Sequence, residues 1–147
     1  MNAPVYAYRR GPPHARAKRQ TPEHSLQVAV VEYLTWALPD GFIFTASAAG
    51  ARMSMKTANT MKAAGQRPGW PDIMILGPGG GFKGLELKAE AGVQSAAQKA
   101  FAGHCERSGQ DMYAICRTVE EVESALVRWG VKPKCGVAAA NRYRGGV

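Results

Sequence analysis

From Thr21 onward the apolar positions follow two rhythms, one helical and one strand-like. Leu26, Val30 and Leu34, joined by Ala29, Tyr33, Trp36 and Ala37, recur at three- and four-residue spacing, which predicts an amphipathic helix. Thr21 suits its N-cap, Pro22 its first helical position, and Glu23 complements the helix dipole in the first turn. The helix must stop before Pro39, and Pro39-Asp40-Gly41 reads as a turn. Phe42-Ile43-Phe44-Thr45 then reads as a short buried strand. Residues 53–64 suggest a second helix, with Met53, Ala58 and Met61 inward and Gly65 as its stop.

The rhythm changes at Arg67. Pro68-Gly69-Trp70-Pro71 cannot continue a helix and leads into Asp72-Ile73-Met74-Ile75-Leu76, a strong strand. Gly77-Pro78-Gly79-Gly80-Gly81 is a turn, and Phe82 to Lys88 is a second strand. So short a connection favours an antiparallel hairpin. Ser95 and Gln98 have capping-box spacing and open a helix that ends near Gly109. Met112 to Cys116 reads as a further strand. Thr118 and Glu121 form a second capping box, before a helix that turns Val122, Leu126 and Trp129 inward and ends at Gly130. The order α-β-α-β-β-α-β-α predicts an α/β domain, a mixed sheet covered by helices. No internal repeat is visible.

Composition narrows this picture. The chain has 147 residues, 46% of them apolar, enough for one core and against global disorder. No stretch approaches the ~20 apolar residues of a membrane span, and none resembles a signal peptide. Three cysteines without CxxC spacing argue against a disulfide scaffold or zinc ribbon and fit a reducing, cytoplasmic setting.

Charge divides the chain into three. Residues 1–20 carry five basic side chains, Arg16, Lys18 and Arg19 among them, and no acid. Residues 131–147 carry four basic side chains, again with no acid, while 21–130 hold ten basic against eleven acidic residues. The net charge of +8 therefore sits in a flexible basic arm (1–20) and a basic C-terminal tail (131–147) around a folded domain (21–130). Such ends suit a polyanion such as nucleic acid, or serve only as solubilising segments. Arg52, Lys56, Lys62 and Arg67 gather near the second helix, as either a solvated face or a phosphate-contacting one.

The candidate chemistry lies on the hairpin. Residues i and i+2 of a strand share a face, so Glu86 and Lys88 point one way while Leu85 and Leu87 turn to the core. With ordinary register, Asp72 and Glu86 come together at one end of the sheet. Two neighbouring carboxylates repel unless a proton or cation lies between them, and oxygen-only ligands suit Mg²⁺ or Mn²⁺. A lone E-x-K is weak, since about half a match is expected by chance in a chain this long. The bland alternative is a surface ion pair between strands, with Asp72 capping a turn.

"PGWPD", "LELK" and "GVQSAAQ" together resemble the virus-type replication-repair nuclease (VRR-NUC) domain of the PD-(D/E)xK nuclease superfamily, over about residues 21–130. The resemblance implies a restriction-endonuclease-like mixed central sheet and a metal-dependent DNA endonuclease. It implies that Asp72, Glu86 and the Leu87 backbone carbonyl bind Mg²⁺ or Mn²⁺, with Glu23 completing the site directly or through water. Lys88 would act on the nucleophilic water, and Gln98 would hold Lys88 or a substrate phosphate. On residues alone, Glu23 reads as a first-turn acid and Gln98 as half of a capping box. Small stand-alone members of the family are associated with phage and with branched DNA, including Holliday junctions, so a homodimer acting in DNA repair in a bacterial or phage-infected cell is implied. A non-catalytic DNA-binding module of the same fold, or a sequence-directed or nicking nuclease, are the alternatives.

Other constellations carry less. Gly77–Gly81 lacks the following Lys-Ser/Thr of a phosphate loop, so no nucleotide cofactor is expected. His104 and Cys105 are adjacent on a helix and do not face each other. Trp36, Trp70 and Trp129 read as core residues, of which Trp70 adjoins the proposed site.

Overall fold

The Thr21 hydroxyl oxygen accepts the His24 N–H at 3.3 Å and caps helix α1, Pro22–Ala37. The computed structural model describes residues 21–47 and 53–144. Arg16, Lys18 and Arg19 of the expected basic arm, and Arg52, lie outside the described residues. After α1 come β1 (Ile43–Ala46), α2 (Met55–Ala63), β2 (Ile73–Leu76), β3 (Phe82–Leu87), α3 (Ala96–Arg107), β4 (Tyr113–Cys116), α4 (Val119–Arg128) and α5 (Val137–Arg144). The α/β order read from the sequence is present, with one helix added at its end.

The four strands form one open sheet in the order β1-β2-β3-β4. β1, β2 and β3 run antiparallel, and β4 lies parallel to β3 after the crossover through α3. The hairpin register pairs Ile73 with Leu85 and Leu76 with Phe82. Gly79 and Gly80 take positive φ in the turn between those strands, a region open to glycine without steric cost.

The sheet separates two environments. Ile73, Ile75, Leu85, Leu87, Ala114 and Cys116 are buried on one face, in a single cluster with Val30 and Leu34 of α1, Val122 and Leu126 of α4, and Val137 and Ala140 of α5. The other face carries Phe82, Glu86 and Tyr113, where Trp70 and Phe101 of α3 pack. Every residue of β3 from Gly84 to Leu87 is therefore buried.

Two expectations are corrected. β1 is an edge strand rather than a buried one, with Ile43 and Thr45 exposed. Only one side of an edge strand has a hydrogen-bonded neighbour, and its apolar residues gain little cover there. Residues beyond 130 do not form a tail throughout: Val131, Val137 and Ala140 are buried. The Lys134 N–H donates to the Ala37 carbonyl at 2.7 Å, and the Val137 N–H donates to Glu123 Oε2 at 2.6 Å. Glu123, which also accepts from the Tyr33 hydroxyl at 3.4 Å, thus ties α5 to α4 and α1. Val137 and Ala140 offer too weak an apolar stripe to mark α5 against its basic background. Among the described residues no helix is long and apolar enough to cross a membrane.

Candidate active site

The loop before β2 is clamped from two sides. Gly84 sits under Pro71 so closely that a Cβ there would meet Pro71 Cγ at 2.7 Å. Gly69, at φ +90°, lies against the first turn of α3, where a Cβ would collide with the Ala97 carbonyl oxygen. Both approaches need glycine, and together they fix where Asp72 emerges.

Asp72 Oδ2 accepts the Leu87 N–H at 2.7 Å. The side chain thus takes up an N–H that continued pairing of β2 with β3 would otherwise satisfy. The carbonyl of Leu87 leaves its strand on the same side as its N–H, toward Asp72. Glu86 is fully buried, and its Oε1 accepts from Lys88 Nζ at 2.9 Å and from Gln98 Nε2. Gln98 itself is held by the capping box, its Oε1 accepting the Ser95 N–H at 2.8 Å. Gln98 therefore fixes Glu86 rather than Lys88, which differs from the role implied by the resemblance: both ends of its amide are engaged.

The second oxygen of Glu86 is different. Oε2 is buried and accepts no hydrogen bond, and the register that pairs Ile73 with Leu85 brings Asp72 opposite Glu86. Burial lifts Glu86 from its ordinary 4.5 to about 7; the Lys88 hydrogen bond opposes the shift and the Asp72 charge adds to it. Burial also pushes Asp72 upward, against the Leu87 N–H and Lys88, with Glu23 adding like charge. Tyr113, on the same face, is pushed up to about 12 by burial first and then by Glu86. A buried oxygen without a donor beside a second carboxylate calls for a proton or a cation. All the groups offered are hard oxygens, so the donor set fits Mg²⁺ or Mn²⁺.

Glu23 stands farther out. It is exposed at the start of α1 and lines the cleft that also contains Asp72, Leu87, Lys88 and Gln98. Among the described residues no group of three or more His, Cys, Asp or Glu side chains is close enough to hold a metal ion. The acids are thus a tight pair, Asp72 and Glu86, with Glu23 at the rim. Completing a six-ligand shell there would leave several positions to water, as is usual for Mg²⁺.

Lys88 is followed by a loop that Arg117 holds. Its guanidinium donates to the carbonyls of Ala89 and Glu90 and, at 2.9 Å, to that of Gly92. Gly92 in turn backs onto Glu23, whose Oε1 would lie 3.2 Å from a Cβ there. One exposed arginine thereby links the lysine end of β3 to the rim acid. Nothing in the spacing around Arg117 marked it.

The cleft encloses about 630 Å³ between the start of α1, α2, the 66–70 loop and the strand ends. Lys62 and Arg67 line it, and Lys56 on α2 does not. Trp70 also lines it and is 44% exposed, so the expectation of a core tryptophan is corrected. Trp129 is half-buried and packs against the core cluster, whereas Trp36 is half-buried without being part of it. His104 is exposed while Cys105 is buried, so the two face apart as expected.

No family model matches the sequence, and no curated protein matches it. Among solved structures, a chain described as "VRR_NUC domain" is similar to this one at a TM-score of 0.47 and 17% identity, over 74% of this chain and 97% of that chain.

Proposed function

We propose that the cleft hydrolyses DNA phosphodiester bonds with the help of Mg²⁺ or Mn²⁺, and that its substrate is branched DNA of the Holliday-junction kind. The observation that carries this reading is the free, buried Oε2 of Glu86 beside Asp72, with Oε1 of the same carboxylate already engaged by Lys88 and Gln98.

Asp72, Glu86 Oε2 and the Leu87 carbonyl would hold the ion, with Glu23 contributing through water. Such an ion supplies a Lewis acid at a phosphate oxygen and favours deprotonation of water. Everything else falls to the chain. Gln98 and Lys88 hold Oε1 of Glu86 and leave Oε2 free, and a ligand held in advance costs nothing to order during the reaction. Lys88, at the cleft wall, sets an ammonium where it orients the attacking water and offsets charge on the phosphate as the water oxygen adds to phosphorus and a P–O ester bond breaks. Lys62 and Arg67 at the rim attract the backbone of the strand to be cut. The basic arm at 1–20 would grip flanking duplex, along with Lys132 and Lys134 beyond α4.

A chain with one such site cuts one strand per encounter. Symmetric resolution of a four-way junction therefore needs two copies, and a homodimer belongs to this reading.

The test is cleavage of a four-way junction and of linear duplex in Mg²⁺, Mn²⁺ or EDTA, with wild type, Asp72→Ala and Lys88→Ala. Metal-dependent cutting, faster on the junction and lost in both variants, is the expected result. Equal rates on both DNAs would remove the branched substrate, and discrete fragments from plasmid would make the enzyme sequence-directed. Binding without cutting on every DNA would leave a non-catalytic module.

A further inference from the structure

Trp70 stands two residues before Asp72, on the wall of the cleft. Its ring packs on Phe101 at a centroid distance of 5.1 Å and meets Phe82 edge-on at 6.4 Å. Phe101 in turn rests on Tyr113 at 5.7 Å, and the Tyr113 hydroxyl accepts from Gln94 at 3.0 Å. The indole is thus backed by a cluster of rings in tilted and edge-on contact that runs across the sheet.

A ring so supported has every means of being buried, yet Trp70 is 44% exposed. Of the exposed large apolar side chains among the described residues, Trp70 alone lines the cleft; Met55, Val93 and Val127 are more exposed but lie elsewhere. Lys62 and Arg67 share that cleft. A flat aromatic surface flanked by cations has the composition of a stacking platform for single-stranded nucleic acid, in which the cations track phosphates and the ring takes a base. Continuous duplex cannot use such a ring, because both faces of each base are already covered by neighbours.

We infer that Trp70 stacks on an unpaired nucleobase next to a phosphate drawn into the cleft by Lys62 and Arg67, so that the cleft selects DNA carrying unpaired bases, at a gap, flap or open branch point, over continuous duplex. This rests on the reading that the cleft binds DNA. It goes further by assigning the selectivity to one side chain and the feature recognised to a free base face. Branching then matters only as far as it frees a base.

The test measures binding in EDTA, where no cutting occurs, of a duplex with a two-nucleotide gap and of the same duplex without it. Wild type should prefer the gapped DNA by roughly tenfold or more, the scale of one base–aromatic stack, and its tryptophan fluorescence should fall on binding. Trp70→Phe should keep most of the preference and lose the fluorescence change. Trp70→Leu should bind both DNAs alike, with a thermal melt matching that of Trp70→Phe. Equal affinity of wild type for both DNAs, or a preference that survives in Trp70→Leu, would overturn the inference. A preference that follows Trp70 in a protein that cuts no DNA in Mg²⁺ or Mn²⁺ would uphold it while removing the hydrolytic reading. Cutting that persists alongside equal binding would do the reverse.

Discussion

Gly84 and Pro71 meet across the hairpin with no room for one more carbon: a Cβ on Gly84 would stand 2.7 Å from Pro71 Cγ. This contact sets the height at which the chain enters β2, and with it the place of the Asp72 carboxylate opposite Glu86. Gly84→Ala should cost about 1–3 kcal/mol of stability, the usual range for overpacking. It should also reduce cleavage more than it reduces DNA affinity. Urea unfolding and single-turnover cleavage check the two effects. Unchanged cleavage in Gly84→Ala would mean that the contact does not position Asp72.

The electrostatics of the acid pair yield a pH dependence with a definite sign. The folded-state pKa of Glu86, about 7, lies above its ordinary 4.5, so folding favours the protonated carboxyl. That contribution to stability is whole below about pH 4.5 and is lost as pH rises through about 7. The upward shift of Asp72 acts in the same direction. In EDTA, wild type should therefore lose thermal stability between these values. Glu86→Gln keeps an oxygen for Lys88 and Gln98 and replaces the free, ionisable oxygen with a neutral donor. It should melt higher than wild type at pH 8, with a flatter profile from pH 4.5 to 7. Parallel profiles for the two proteins would show that Glu86 ionises without strain.

Arg117 donates to three carbonyls of the 89–92 loop and so restrains the segment between Lys88 and the Glu23 rim. Arg117→Ala should lower the cleavage rate by up to roughly 10²-fold, the effect of displacing a reacting group by about an ångström, while DNA affinity changes little. Arg117→Lys, able to reach one of the carbonyls, should recover part of the rate. A loss confined to affinity would instead make Arg117 a phosphate contact.

Much of this site was legible because it obeys local rules. The alternation in Phe82–Lys88 placed Glu86 and Lys88 on one face, and Ser95 with Gln98 announced the α3 cap, which the structure forms in full. Gly84 was not singled out in the sequence; its close approach to Pro71 is a finding of the structure. Other features had no local signal. Gln98 reaches Glu86 only through the crossover that lays α3 on the sheet, and Arg117 finds its carbonyls 25 to 28 residues away. α5 lacked an apolar stripe and is held by Glu123 and by α1. Trp70 looked like core because a tryptophan between prolines has no period to betray an open face. In each case tertiary contact decided what spacing left undetermined.

Calorimetric titration of Mn²⁺ into the DNA-free protein at pH 6 tests the central claim most directly. Wild type should show one saturable event accompanied by proton release, since ionisation of the Asp72–Glu86 pair is then coupled to metal binding. Asp72→Asn and Glu86→Gln should each weaken it at least about tenfold, the scale of a lost ligand at such a site. No saturable uptake by wild type, or the same uptake in both variants, would contradict the assignment of these two carboxylates to a divalent ion.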